Sequence, residues 1–173
     1  MNVSDFVTDA LNTVRGSVAI TLDGLSAEHL NLRPASECNS IGWIIWHMAR
    51  MQDRGISIIT GDSQCWVNEG WHGRYGMPAD PTDTGMGHNS EQVSAFKAPD
   101  KETLMDHYDA VLQNTLNYLK NMSETDAEKN IEYSLTVTTV GGGLLSIVNG
   151  NMQHVGQAGY VRGLIENRRW HPR

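Results

Sequence analysis

Residues 40–50 read SIGWIIWHMAR, and the order of polar and apolar side chains in this run is that of one helix of a bundle. Asn39 and Ser40 are both good N-caps, because their side-chain oxygens can accept from the orphan N–H groups of a first turn. Ile41, Ile44, Ile45, Met48, Met51 and Ile58 follow at helical spacing, and the spacing predicts a helix to about residue 60, ended by Gly61-Asp62. His47 lies inside that apolar stripe, between Ile44 and Met51. An imidazole nitrogen buried without a partner costs roughly 1–3 kcal/mol, so an inward histidine needs a hydrogen bond or an ion. Trp43 and Trp46 flank it and read as core or interface packing, with a hydrophobic substrate wall as the alternative.

Working outward towards the N-terminus, Val7, Leu11, Val14, Val18, Leu22 and Leu25 alternate at three and four, predicting a first helix over residues 4–25. A short capped turn at Ser26-Ala27-Glu28-His29 and a break at Arg33-Pro34 separate it from the second. Towards the C-terminus, residues 61–99 form a long connection rich in Gly, Pro, Asp and Trp, carrying Trp66, Trp71, His72, Tyr75 and His88. A link of this length in a compact domain is usually functional or locally ordered. Its aromatics are expected to pack over one end of the bundle, and Asn89-Ser90-Glu91-Gln92 reads as a capping box opening a short helix to about Phe96. The link is also long enough to let the second and third helices run parallel. Asp100 caps a third helix with Leu104, Tyr108, Val111, Thr115 and Leu119 on one face, ending near Met122. Residues 131–140 alternate and are β-branched, so a short extended segment is expected, broken by Gly141-Gly142-Gly143. A fourth helix is expected over residues 144–167. It contains QHVGQAGYVRG at 153–163 and turns His154 inward with Ile147, Ala158, Val161 and Ile165. The fold class is therefore all-α: a four-helix bundle with a long crossover loop between helices 2 and 3, as one domain over residues 1–173.

Composition narrows the function. A formal net charge of -7 and the lack of a basic stripe argue against nucleic acid, whose binding is driven by clustered Lys and Arg. Arg168, Arg169 and Arg173 read as a solvated end, as do His29 and His171. No run of 18 apolar residues and no signal-like N-terminus are present, so a cytoplasmic protein with no membrane contact is expected. Cys38 and Cys65 read as free thiols of a reducing compartment. Taken one at a time, His72, His88 and His107 read as surface or loop histidines. His47 and His154, on helices long enough to lie side by side, point to one shared partner, and a transition-metal ion is the obvious candidate. Gly156, Gly159 and Gly163 recur on the last helix and suggest the close approach of another backbone, in the same chain or in a dimer partner.

SIGWIIWHMAR following Leu32-Arg33-Pro34, HVGQAGYVRG near the C-terminus and the interval between them resemble the DinB/YfiT-like superfamily. The resemblance implies a four-helix bundle that binds a divalent metal, zinc or nickel, through three side chains. Two positions match: His47 on the second helix, and His154 in the H-x-G-Q segment of the last. The third ligand would stand one turn before His154, where this chain has Gly150. The implied activity is that of a thiol transferase, a thiol-dependent isomerase or a hydrolase. It would act on a small-molecule substrate with a low-molecular-weight thiol as cosubstrate, in a homodimer. His88, on the Gly85-Met86-Gly87 hinge, is the candidate catalytic residue, as third ligand or proton carrier, and it and Trp71 or Tyr75 are expected near the two inward histidines, the loop forming a lid over them. The competing reading is a non-catalytic small-molecule-binding or dimeric interaction protein with a degenerate metal site.

Overall fold

The computed structural model describes residues 2–133 and 136–169; His171 and Arg173, expected in a solvated tail, lie outside them. Helix α1 (Val3–Leu22) opens on a capping box between Asn2 and Asp5 and buries Val7, Leu11, Val14, Val18 and Leu22. It ends earlier than its periodicity predicts, because the chain turns at Gly24 in the left-handed region (φ 72°). Leu25 is still buried, though no longer in the helix. After α2 (Ala27–Asn31), helix α3 (Ile41–Thr60) starts on the Ser40 hydroxyl, which accepts from Trp43 N, and stops at left-handed Gly61.

The long connection is ordered. It winds through α4 (Cys65–Asn68), α5 (Trp71–Arg74) and α6 (Ser90–Ala95), the last opened by the Asn89–Gln92 capping box. Helix α7 (Lys101–Asn121) is capped by Asp100, and α8 (Glu124–Ala127) follows. Strands β1 (Asn130–Tyr133) and β2 (Thr136–Thr139) pair antiparallel, Asn130 opposite Thr139 and Tyr133 opposite Thr136. Helix α9 (Val140–Ile165) is the last element among the described residues.

The extended segment ends at Thr139, but α9 begins at once and not at residue 144: the three glycines form its first turn. Glycine disfavours helix, yet a Cβ at Gly143 would stand 3.1 Å from Ile131 and 3.2 Å from Tyr133, and one at Gly142 would run into Thr138. The hairpin packs so close to the start of the helix that a Cβ is crowded at Gly143 and displaces Thr138 at Gly142.

Helices α1, α9, α3 and α7 surround the core in that order. The Ser4 hydroxyl on the Leu119 carbonyl and Arg15 on Asp109 make α1 and α7 antiparallel. His47 beside His154, with Ile59 near Gly143, makes α3 and α9 antiparallel. Arg162 on the carbonyls of Ile20 and Thr21, with Ser17 and Gly156 further back lining one groove, runs α9 parallel to α1. It follows that α3 and α7 run parallel, which is the geometry a long crossover permits. No helix among the described residues is long and apolar enough to cross a membrane.

Candidate functional site

His47 is 7% exposed and lies face to face with Trp43 one turn earlier, ring centroids 4.8 Å apart at 15°. Its Nδ1 meets the backbone oxygen of Thr84. A carbonyl only accepts, so Nδ1 carries the proton and Nε2 keeps its lone pair. From α9, half-buried His154 stands 4.8 Å away, centroid to centroid, at 75°. Its Nδ1 lies 2.9 Å from Gln157 Oε1, and with the amide in this orientation Nδ1 donates and Nε2 keeps its lone pair. Two imidazoles thus meet across the bundle, each with Nδ1 on an oxygen. Burial pulls the His47 pKa down, and neighbouring His154 and His88 act in the same direction against the Thr84 hydrogen bond. The ring is therefore neutral, as a ligand must be.

His88 lies against the same wall, its ring 6.0 Å from each of Trp43 and Trp46. Both of its nitrogens are engaged. Trp43 Nε1 donates to Nδ1 at 3.4 Å, and Nε2 donates to Asp83 Oδ1 at 3.0 Å. In this arrangement His88 has no lone pair to offer an ion. Trp71 and Tyr75, one of them expected near the His47–His154 pair, pack instead around His107, their ring centroids 5.0 and 5.5 Å from its own. The wall next to His47 comes from its own helix, through Trp43 and Trp46.

His107 is fully buried, which overturns its reading as a surface residue. The signal was present: it falls three residues after Leu104 and four before Val111, on the buried stripe of α7. Burial pushes its pKa down to about 3.

Gly150 is half-buried and open, since a Cβ there would meet nothing within 4 Å. Gly156 likewise has no close neighbour within the chain. Among the described residues, no group of three or more His, Cys, Asp or Glu side chains could hold a metal ion. Cys38 and Cys65 are both free, and burial pushes the Cys65 thiol up to about 12, which keeps it protonated and unreactive.

The residues that prepare the pair were harder to foresee. Gln157 had a helical signal, three residues after His154. Thr84 acts through a backbone atom, which no side-chain pattern announces. Arg50, at the end of the quoted run, is fully buried on Asp53 (3.3 Å) with its guanidinium 4.5 Å from the Trp66 ring centre. Asp53 in turn accepts from Cys65 N and Trp66 N, both at 2.9 Å, and so fixes the start of α4.

Comparison with known proteins agrees with this architecture. The sequence model of the DinB superfamily matches residues 10–158. The chain belongs to the DinB superfamily. A crystal structure of a conserved protein from Enterococcus faecalis is similar to this DinB chain, with a TM-score of 0.88 at 25% identity, over 97% of this chain and 99% of that one. No curated protein matches it in sequence. The matched span includes His47, His88, Gly150 and His154, so the facing pair lies inside the family domain.

Proposed function

We propose that the protein binds a divalent transition metal, zinc or nickel, through Nε2 of His47 and Nε2 of His154. We further propose that it acts on a small molecule as a thiol transferase, thiol-dependent isomerase or hydrolase. The observation that carries this reading is the facing pair: the two ring centroids stand 4.8 Å apart, and Nδ1 of each ring lies on a carbonyl oxygen, which leaves Nε2 as the nitrogen able to ligate. Ligating histidines need that second bond, because it orients the ring and fixes the tautomer. The donor chemistry suits a borderline transition metal, and two protein nitrogens leave positions open for exogenous ligands.

Such an ion, when bound, lowers the pKa of a coordinated water or thiol and so supplies a nucleophile at neutral pH. The chain's own contributions are distinct from that chemistry. Thr84 and Gln157 hold the protons on Nδ1, burial keeps His47 neutral, and Trp43 stacks on its ring and screens it from water. Elemental analysis of protein purified without an affinity tag is expected to find about one zinc or nickel per chain. Protein that stays metal-free after exposure to excess zinc and nickel would contradict the reading.

The lack of a third donor among the described residues favours a second reading, a small-molecule-binding protein without catalysis. It predicts ligand binding unaffected by metal chelation. The two free cysteines support a cytoplasmic setting. A groove between α1 and α9, lined by Ser17, Thr21, Gly156 and the exposed Met152 and Tyr160, supports a homodimer. Light scattering at micromolar concentration is expected to give twice the chain mass.

A further inference from the structure

Residues 80–88 cross the face of α3 that carries His47, and hydrogen bonds from that face hold them on either side of Thr84. On one side is Arg50, one turn after His47. Its Nε donates to the Asp83 carbonyl at 3.2 Å, and its Nη2 donates to the carbonyls of Asp80 and Pro81, both at 3.3 Å. The guanidinium is itself held by Asp53 and by Gln64 Oε1 at 2.7 Å, and Gln64 Nε2 adds a bond to Pro81 at 3.1 Å. On the other side is Trp43, one turn before His47, which donates to His88; His88 donates to Asp83, and Asp83 Oδ1 also accepts from Gly85 N at 3.1 Å.

Between the two ties the backbone lies flat on the helix. Gly85 has φ 83°, and a Cβ there would stand 2.7 Å from the Trp46 ring and 2.8 Å from the Trp43 ring. The only backbone oxygen of this stretch that reaches the histidine pair is that of Thr84, on His47 Nδ1. A fully buried guanidinium is costly to desolvate, and most of this one's hydrogen bonds go to backbone carbonyls of a single loop.

We infer that residues 80–88 are a positioning strap, with Arg50 and the Trp43–His88–Asp83 chain as its two ties. Its task is to hold the Thr84 carbonyl on His47 so that Nε2 faces His154 unprotonated. A histidine ring exchanges between tautomers unless a hydrogen bond selects one, and an Nε2 that carries a proton has no lone pair for an ion. His88, Asp83 and Arg50 are therefore positioning residues. The inference rests on the metal-binding reading for its effect on affinity alone; the tautomer claim stands without it.

Long-range nitrogen–proton NMR of the metal-free protein reads the tautomer of His47 directly, and nickel(II) titration reads the consequence. In the unaltered chain His47 is expected as the Nδ1–H form. Asp83→Ala removes the acceptor shared by His88 and Gly85 from a partly exposed position, and should give a mixture of tautomers in a folded protein. Nickel affinity should then fall about 10- to 100-fold, the loss usual when a ligand's outer hydrogen bond is cut. Arg50→Lys and His88→Phe should shift both readouts in the same direction. A folded Asp83→Ala and a folded His88→Phe that both keep His47 wholly in the Nδ1–H form would overturn the strap. A tautomer that shifts in a protein with no nickel affinity would uphold the strap and remove the metal reading.

Discussion

His47 and His107 are both turned into the bundle from parallel helices, and they differ in what lies beyond the ring. His47 has one nitrogen on a backbone carbonyl and a second histidine beside its ring, centroids 4.8 Å apart. His107 meets Tyr75 Oη with Nδ1 at 3.2 Å, lies against Trp71, and has an Nε2 that is sealed off with no partner among the described residues. Both are buried imidazoles with pKa values lowered by burial, but only one has a second donor beside it. Burial alone makes a core histidine. A site needs a free nitrogen, a fixed tautomer and a second ligand within reach.

The comparison breaks first at the ligands. His47→Ala and His154→Ala should each lower zinc affinity by roughly 100-fold or more, since outer-shell losses alone reach that range. His107→Phe should leave zinc affinity unchanged in the same calorimetric titration. Equal losses at all three positions would mean that the variants report damage to the fold and not the loss of a ligand.

The dry histidine has its own signature, in acid. The unfolded imidazole takes a proton near pH 6.5, whereas the buried one resists until about pH 3. Between those values the unfolded state binds more protons, so stability falls as pH falls, by up to about 1.4 kcal/mol per pH unit from this group. Above pH 6.5 both forms are neutral and the contribution is flat. His107→Phe with Tyr75→Phe removes the titrating ring and its hydroxyl partner together, which is the milder way to delete a buried hydrogen bond. Urea unfolding at stepped pH should show a shallower acid slope for this double variant. An unaltered slope would mean that His107 is protonated within the fold.

A smaller effect sharpens the other side. Gly150 is open, so Gly150→His adds a side chain without a clash, one turn before His154. It should raise zinc affinity about 10-fold by supplying a third nitrogen. No change would mean that the added ring does not reach the pair.

Much of this was legible in advance, and the reasons are local. The stripes from Val7 to Leu22, Ile41 to Met48 and Leu104 to Leu119 are buried as their periods require, Met51 and Ile58 being only half-buried, and Ser40, Asn89 and Asp100 cap where their side chains allow. Gly141 to Gly143 misled, because glycine's intrinsic cost to a helix is visible in sequence while the hairpin that forbids a Cβ is not. At the site, His47 and His154 were readable as inward residues on helices. The Thr84 carbonyl was not, since any residue supplies the same backbone oxygen, and what singles it out is a loop tied down by Arg50 and His88.

The central claim is that Nε2 of His47 and Nε2 of His154 share one ion. Zinc titration of tag-free protein, followed by the ring nitrogens of all the histidines in NMR, tests it most directly. The account predicts saturation at one zinc per chain, with the Nε2 signals of His47 and His154 moving together while those of His88 and His107 stay in place. No saturable shift, or a shift centred on His88 or His107 with His47 and His154 unmoved, would contradict it.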